Sequence, residues 1–340
     1  MTSRHQRGRP RGSVIAIVLA VIALASFLLA AFVERSTTEL LVETRAAQAS
    51  RLRAAAHSGL EAALAVVASY QAEDGGLFAP AQGWGDPLGS ADLAPAPGVR
   101  VRVLDESGRP SLPRLSPAQV ASLLEELGLR RDQADRVAEA LGVWTRQAQG
   151  SARLETEARQ YQLADPPHHA PGRPLGSFEE LAAVAVAREH FFDDEGRPTE
   201  LLRRFAAEVS LHDFPATNLN TATPRAWDLA GLAPADVTRV QAWFATEKGR
   251  RGAPPRFFRD ANEARSLLGT VPPGFETRAR ILRVVVVARE GPAELRLEAV
   301  VAPAAGDSAG QGDRASSSPL GYPFSLLDLD ESLVLDAPAA

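Results

Sequence analysis

The sequence predicts an α+β protein in which a long N-terminal helix carries a small antiparallel sheet, with a large helical insertion in the chain between the strands. Three observations predict this fold. The chain begins with an apolar run that continues into an Ala- and Leu-rich segment without proline. Strand-like segments occur near residue 100 and again between residues 280 and 302. Between them, the apolar spacing and the capping residues favour helices.

The first 33 residues predict a membrane anchor. Four arginines lie within residues 1–12, and the 21 residues from 13 to 33 carry no charge. At about 1.5 Å per residue, a helix of this length spans roughly 30 Å, which is the thickness of the hydrocarbon core of a bilayer. Because arginines tend to stay on the cytoplasmic side, we expect the chain beyond Glu34 on the opposite side of the membrane.

Residues 34–72 are expected to extend this helix beyond the membrane as a stem. They are rich in alanine and leucine, and Gly59 is the weakest helix former among them. We therefore predict one helix, half in lipid and half in water. Two alternatives stay open: a signal peptide cleaved after the small residues of Ala23-Leu24-Ala25, and an anchor that is not processed.

Two regions predict the sheet. Valines at alternate positions of residues 99–103 are separated by arginines, which indicates a half-buried strand, and the turn residues 105–108 follow it. Near the C-terminus, residues 280–288 and 293–302 are strongly β-prone, and the sequence Glu-Gly-Pro between them favours a turn. These two segments should therefore pair as an antiparallel hairpin.

The segment between these strands is predicted to be mostly helical. Ser116 is typical of a helix N-cap, and Gly128 is expected to divide the helical region after it in two. Ser177 is expected to cap the next helix, over residues 177–190. The further elements expected in this part are a strand over residues 205–211 and helices over residues 224–231, 234–247 and 260–268.

Composition and motifs argue against several classes of function. The 340 residues include no cysteine, so disulfides and thiolate chemistry are excluded. The formal net charge of −5 argues against a generally nucleic-acid-binding surface. The sequence has no Gly-x-Ser-x-Gly, phosphate-loop or His-Glu-x-x-His pattern, and we interpret the acidic residues 193–196 as a turn. We therefore do not expect an enzyme.

The N-terminus resembles that of type IV pilins and pseudopilins. In that family a short basic leader ends in glycine, the prepilin peptidase cuts after this glycine, and the next residue is then N-methylated. The resemblance implies that residues 1–12 are a leader, cleaved between Gly12 and Ser13, and that Ser13 is methylated. Most members have glutamate at the fifth mature position, where this chain has Ile17. A subunit at the filament tip has no neighbour ahead and could dispense with that carboxylate.

The order of elements resembles that of the K-type minor pseudopilin of the type II secretion system, a member known to lack this glutamate. Asn218, Asn220 and Thr221 match the Asn-x-Asn-Thr-Ala segment in the helical domain of that protein. The resemblance depends on an ordered set of segments: residues 99–112, 174–181, 218–222 and 257–269.

This resemblance implies a domain layout. It comprises a transmembrane helix (13–33), a stem (34–72), a pilin-like sheet (73–115 and 275–303) and an inserted SAM/helix-hairpin-helix-like α-domain (116–274). The implied function is that of a minor pseudopilin in the inner membrane, with its C-terminal domain in the periplasm. It would initiate or cap the pseudopilus tip and help export folded proteins. The expected partners are other minor pseudopilins, through the N-terminal helix, and the secretion machinery or its cargo.

Two other functions stay open. Asn-Leu-Asn-Thr-Ala also occurs in helix-hairpin-helix modules that bind DNA backbone, as in competence-type uptake, and residues 230–235 would then be the hairpin. A tip role in a type IV pilus would use the same stem.

As for cofactors, K-type pseudopilins bind calcium through an acidic segment after a tryptophan, but no acid follows Trp144 until Glu155. We therefore expect no cofactor.

The C-terminal segment 304–340 is predicted to be a disordered acidic tail. From Gly306 on it carries six acids and one arginine, a net charge of −5, and it is rich in serine and glycine. Within it, residues 322–330 mix acids with large apolar groups. Such a segment could fold on a partner, or it could pack onto the sheet of this protein, and the sequence does not choose between the two.

Overall fold

The computed structural model describes residues 13–89, 96–145, 161, 169–245, 256–303 and 323–335. The α-helices of these residues are α1 (Ser13–Asp74), α2 (Pro117–Glu126), α3 (Arg131–Trp144), α4 (Ala185–Phe191), α5 (Glu200–Glu208), α6 (Pro224–Leu229), α7 (Pro234–Ala245) and α8 (Ala261–Leu268). Their strands are β1 (Val99–Asp105), β2 (Thr217–Asn218), β3 (Phe275–Glu276), β4 (Leu282–Glu290), β5 (Ala293–Pro303) and β6 (Phe324–Val334).

Helix α1 is continuous over 62 residues, so the predicted membrane segment and stem form one element. In its first part the large apolar side chains from Ile15 to Val42 are exposed, and Phe27, for example, is 71% accessible. Within the described residues, α1 is the helix whose length and hydropathy suit a membrane span. An isolated helix with apolar residues on every side is stable only where its surroundings are apolar, which is the situation of a lipid-embedded segment.

The second half of α1 packs on the sheet. Its buried residues recur every three or four positions, as expected of one helix face: Ala49, Leu52, Ala56, Leu60, Ala63, Leu64 and Val67. Gly59 lies within this contact, and a Cβ built on it would be 2.8 Å from Cγ1 of Val99 and 3.2 Å from Cγ1 of Val286. The missing side chain therefore permits a close approach of helix and sheet.

The main sheet is antiparallel, with the strand order β1-β4-β5-β6. Alternate residues of β1, β4 and β5 face α1, as Val101, Val284 and Leu297 do, and these side chains share one core with the stem. The predicted hairpin of β4 and β5 is confirmed. Because Asp105 at the end of β1 pairs with Leu282 at the start of β4, the chain between the two strands leaves and re-enters the sheet at neighbouring points.

The prediction of a disordered tail over residues 304–340 is wrong for its described part. Residues Phe324–Val334 form β6, which pairs with residues 294–303 of β5, so the second alternative for the tail holds. Phe324 is 3% accessible and anchors the start of the strand. The acidic composition suggested disorder, but four leucines and a valine among the acids are sufficient to support a strand at the open edge of a preformed sheet.

The first helical group, α2 to α5, has its own apolar core. Ser116 caps α2 as predicted, since its hydroxyl accepts the N–H of Gln119 and Gln119 Oε1 accepts the N–H of Ser116. Gly128 adopts a positive φ of 113° between α2 and α3, so the predicted break is also confirmed.

Two predicted elements of the first helical group are corrected. The strand predicted over residues 205–211 is largely helix, because α5 runs to Glu208 and buries Leu202 and Phe205 on one side. Thr199 caps it by accepting the N–H of Leu202. The helix predicted over residues 177–190 is a 3-10 segment followed by α4, and the Ser177 side chain makes no capping bond. Periodicity over five or six residues did not distinguish these alternatives.

The second helical group, α6 to α8, forms a smaller core built around aromatic rings. The rings of Trp243 and Phe258 stack at 4.3 Å between centroids, and those of Trp227 and Phe275 stack at 5.3 Å. Strands β2 and β3 pair in parallel at the border of this group, close to the end of β1. This border brings the predicted Asn-x-Asn-Thr motif against the sheet.

Candidate functional site

The Asn218-to-Thr221 motif lies where the helical groups meet the sheet. Asn218 is completely buried, and its amide Nδ2 donates to Oδ2 of Asp105 at 2.6 Å and to the carbonyl oxygen of Phe78 at 2.7 Å. The hydroxyl of Thr221 also donates to Oδ2 of Asp105. One motif from the helical part therefore binds both the end of β1 and the loop that follows the stem. We call the set of Phe78, Asp105, Asn218, Asn220 and Thr221 the junction.

Asp105 is the acceptor at the centre of the junction. Its Oδ1 accepts the backbone N–H of Ser107 at 2.9 Å and the Ser107 hydroxyl at 2.5 Å, in addition to the two bonds at Oδ2. Burial raises the pKa of the Asp105 carboxyl above its ordinary value, and the hydrogen bonds from Ser107, Thr221 and Asn218 oppose this shift. A carboxylate with four donors is well satisfied, and removing one donor should be costly.

Asn220 connects three further chain segments. Its Nδ2 lies within hydrogen-bond distance of the carbonyl oxygens of Phe78 (3.2 Å), Phe258 (2.9 Å) and Thr277 (3.0 Å). Its Oδ1 accepts the backbone N–H of Phe258 at 2.6 Å. Asn220 thus holds the loop after the stem, the segment before α8 and the segment before β4 around a single side chain.

A second polar cluster lies beside Asp105 on the sheet. Glu106 is 2% accessible, and it accepts Nε of Arg283 at 2.9 Å, while Nη1 of Arg283 donates to Glu298 at 3.1 Å. Burial alone would raise the pKa of Glu106, but the bond from Arg283 and the charges of Arg109 and Arg283 hold it below its ordinary value. A buried charge that is paired and hydrogen-bonded in this way orients the groups around it.

The distal end of the stem is included in the same junction region. The rings of Phe78 and Phe257 stack at 6.0 Å, with Arg278 over Phe78 and Arg259 over Phe257. A nitrogen of Arg259 lies 3.7 Å from a carboxylate oxygen of Asp74, the last residue of α1. The second helical group is therefore attached to the end of the stem that is farthest from the exposed apolar segment.

The Asn-x-Asn-Thr motif does more than form a local turn. Oδ1 of Asn218 closes a local turn by accepting the N–H of Asn220 at 3.1 Å. The larger role of the motif is to join the sheet to the helices. Sequence reasoning missed Asp105 and Phe78 as the partners. The one available signal was the polar run from Asp105 to Gly108 directly after a strand, which was assigned to a turn.

The predicted processing site is only partly within the described residues. Gly12 lies outside them, and Ser13 is the first residue of α1. Ile17 is 62% accessible on α1, among other exposed apolar side chains. Cleavage between Gly12 and Ser13 and methylation of Ser13 stay predictions.

The described residues contain no group of three or more side chains placed to hold a metal ion. Asp132 and Asp135 are exposed on α3. The acidic residues near 193 form a turn as predicted, because Oδ1 of Asp193 accepts the N–H groups of Glu195 and Arg197. In the parts of the chain described, these oxygens do not fit a calcium site, which requires several converging carboxylates.

Helices α6 and α7 and the turn between them form a helix-hairpin-helix arrangement, but the amides of its hairpin bond to carbonyl groups of α6. The N–H of Gly231 donates to Asp228 at 3.0 Å and that of Leu232 donates to Trp227 at 3.2 Å, so both close the end of α6. Binding of a DNA phosphate would require these groups to point outward. This geometry gives no support to the DNA-binding alternative.

Comparisons with known proteins agree with the fold. The family model of the type II secretion system protein K matches residues 102–194, which run from β1 through α4. A chain of the GspK-GspI-GspJ complex from the type 2 secretion system of enterotoxigenic Escherichia coli has the same fold. Its TM-score is 0.55 and its sequence identity 15%, and the match covers 85% of this chain and 99% of that chain. A search of the curated proteins gives no match. These findings confirm the predicted α+β fold, and over residues 102–194 they agree with the predicted resemblance to protein K of the type II secretion system.

Proposed function

We propose that the protein is a minor pseudopilin at the tip of the type II secretion pseudopilus. There it initiates or caps assembly and helps to export folded proteins across the outer membrane, a mechanical and associative role without enzymatic chemistry. The protein K domain over residues 102–194 supports the choice of secretion system. The exposed apolar part of α1 supports a single membrane anchor.

The observation that carries the tip role is the position of the helical groups on the stem. From Val33 to Asp74 a helix rises roughly 60 Å at about 1.5 Å per residue, so the junction lies far from the membrane. In a filament of parallel stems, this end points away from the cell. A bulky group held there by Asn218, Asn220 and Arg259 leaves little room for another subunit ahead of it.

The proposed orientation and partners follow from the same helix. The four arginines before residue 13 favour a cytoplasmic N-terminus, which places the sheet and helices in the periplasm. The related fold comes from a complex that contains GspI and GspJ, and we propose equivalent minor pseudopilins as partners of this chain. The exposed apolar residues from Ile15 to Val42 supply the surface for packing of their stems.

Removal of the helical groups tests this function. The backbone N–H of Glu106 lies 2.9 Å from the carbonyl oxygen of Ile281, so residues 107–280 can be replaced by an Asn-Gly turn that joins β1 and β4 as a hairpin. In a strain that lacks the native chain, we expect this variant to insert into the membrane at the normal level but to abolish secretion. The measurement is cargo protein in the medium against total cargo. Undiminished secretion would show that the proposed function is wrong.

Processing of the N-terminus is tested by mass. After co-expression with a prepilin peptidase, we expect an N-terminal peptide that begins at methylated Ser13. Gly12→Leu should block this cleavage, because a side chain at this position prevents close approach of the backbone to the peptidase. Gly8→Leu is the matched control within the leader and should be processed normally. An intact Met1 terminus would indicate a plain anchor, and cleavage after Ala25 would indicate an exported protein.

A further inference from the structure

Strand β6 forms an unusually accessible edge of the main sheet. It pairs on one side with β5, and within the described ranges no strand pairs with its other side. Most of its residues are exposed on both faces of the sheet, including Leu326 (57%), Leu327 (45%) and Leu329 (43%). An edge of this kind presents free backbone N–H and C=O groups beside apolar side chains.

The sequence of β6 lacks lysine and proline, two residues that commonly protect edge strands, although it carries three acids and one irregularity. Such strands are commonly short, or carry lysine, proline or a bulge that prevents pairing with other chains. β6 extends over 11 residues and contains no lysine, arginine or proline. One irregularity is present, where Leu327 lies between the pairs Val301–Leu326 and Val300–Asp328. The seven residues from Asp328 to Val334 remain a regular strand.

Side chains at both ends hold β6 in place but leave Asp328 and Asp330 without a basic partner. Phe324 is buried, Leu333 packs against the core of the stem and sheet, and Glu331 forms an ion pair with Arg53 of α1. Asp328 and Asp330 project from the opposite face of the sheet, and neither forms a salt bridge with a described residue. β6 is therefore a stable part of the sheet. Oδ1 of Asp328 accepts the N–H of Leu329 at 2.9 Å, and neither Asp328 nor Asp330 is paired with a basic side chain of β5.

These two aspartates do not stabilise the sheet through β5. Asp330 lies directly opposite Glu298, a like charge, and Asp328 lies opposite Val300. Glu298 already pairs with Arg283 and Arg296. Like charges directly opposite each other on neighbouring strands are destabilising, so Asp330 acts against pairing with β5. The two aspartates would instead favour a strand with basic residues on the other side.

We propose that the open edge of β6 binds an extended segment of a partner protein in which basic and apolar residues alternate. Backbone hydrogen bonds would add this segment as a fifth strand. Its basic side chains would face Asp328 and Asp330, and its apolar side chains would face Leu329 and Leu333 on the stem side. The inference goes beyond the tip role, because it depends on β6 alone.

A second copy of this chain fits this edge less well than a different protein does. β1 has the required pattern, with Arg100 and Arg102 on the face away from the stem and valines on the other. However, its free edge is partly used, since the N–H of Val103 donates to the carbonyl oxygen of Gly85 at 3.0 Å. The β1 sequence nevertheless provides a probe of the right chemistry.

The experiment measures binding of a fluorescent peptide, Val-Arg-Val-Arg-Val-Leu, to the full chain in detergent micelles. We expect saturable binding, and we expect Asp328→Asn with Asp330→Asn to weaken it roughly three- to tenfold. The matched control is Asp132→Asn with Asp135→Asn on α3, which changes the net charge equally and should not alter the affinity. Thermal unfolding checks that both double variants are folded.

Three results would overturn the proposal. The first is equal binding by the Asp328/Asp330 variant and the control variant. The second is undiminished binding by a peptide N-methylated at alternate residues, since this modification removes the backbone donors that strand pairing needs. The third is self-association of the chain that is lost when residues 323–340 are removed, because it would identify a second copy as the occupant.

Discussion

Asn218→Asp is expected to destabilise the protein strongly at neutral pH and progressively less as the pH falls. The substitution keeps the shape of the side chain but replaces the donor Nδ2, 2.6 Å from Asp105, by a second carboxylate oxygen. Two carboxylates at this distance cannot both ionise without a large penalty. We expect a loss of about 3 kcal/mol in the free energy of unfolding at pH 7, because an uncompensated charge remains at a buried position.

Acid should rescue this variant because one proton restores the missing donor. The carboxyl of Asp105 and the one introduced at position 218 should together take up a proton with a pKa raised above the value of about 3.9 that aspartate has in the unfolded chain. A raised pKa in the folded state gives stability that is complete below the unfolded pKa and lost as the pH rises through the folded pKa. The difference in stability between variant and native chain should therefore shrink from pH 7 towards pH 4.

The native chain supplies the reference, because two of its own carboxylates change its stability with pH in opposite directions. The pKa of Asp105 is raised, so its contribution to stability falls with increasing pH, whereas the lowered pKa of Glu106 makes its contribution fall in acid. Subtracting the native curve from the variant curve removes the contribution of Glu106 and leaves the change in titration at Asp105 and position 218. Urea unfolding at each pH, followed by tryptophan fluorescence, gives the two curves.

A matched control separates the junction from a general effect of added charge. Asn262→Asp makes the same chemical change at an exposed position of α8 and should leave stability within about 0.5 kcal/mol. Hydrogen exchange should show faster exchange around Asn218 and Phe258 in Asn218→Asp but not in the control. A pH-independent loss of stability in Asn218→Asp would show that the carboxylates do not interact.

Local patterns in the sequence predicted the elements with strong, long signals. The stem helix followed from its apolar content, the β4–β5 hairpin from two β-prone runs around a turn, and the start of α2 from Ser116 and Gln119. The prediction failed for short segments whose periodicity was ambiguous. The end of α5 was included in a strand predicted over residues 205–211, because so short a segment fits either period and only burial in a core distinguishes them.

The junction could be predicted only in part, because its bonds join residues far apart in the chain. Asn218 and Thr221 were identified as a motif, but their partner Asp105 precedes them by more than 100 residues. No local pattern relates these positions. For the fourth strand the sequence left two alternatives open for a related reason, since β6 is stabilised by an existing sheet edge and its own acidic sequence gives a weak signal.

Gly59→Leu is expected to separate the stem from the sheet while leaving α1 helical. Leucine is a far better helix former than glycine, by somewhat less than about 1 kcal/mol, so helix content should not fall. The new side chain would nevertheless enter a contact in which even a Cβ meets Val99 at 2.8 Å. Valine is stiff at χ1 and cannot move aside easily. We expect a net loss of about 3 kcal/mol from overpacking.

Gly59→Ala should change the stability much less than Gly59→Leu does, and its effect should be coupled to the side chain of Val99. The gain in helix propensity and the close contact oppose each other, so a net change within about 1 kcal/mol is expected. Adding Val99→Ala should then cost less in the Gly59→Ala background than in the native chain, because the contact at 2.8 Å disappears. This coupling between the two positions is the signature of direct helix-strand contact.

The measurement for Gly59→Leu combines two signals that should diverge. Circular dichroism should report unchanged helix content, whereas the fluorescence of Trp84, which is fully buried in the core of stem and sheet, should report unfolding at lower urea. Ala65→Leu is the matched control, because it places a leucine at an exposed position of the same helix. Equal stability of the two leucine variants would contradict the close packing at Gly59.

A stem that leaves its sheet could no longer hold the helical groups at its distal end. Loss of secretion by Gly59→Leu, but not by Ala65→Leu, would therefore connect this contact to the proposed tip role.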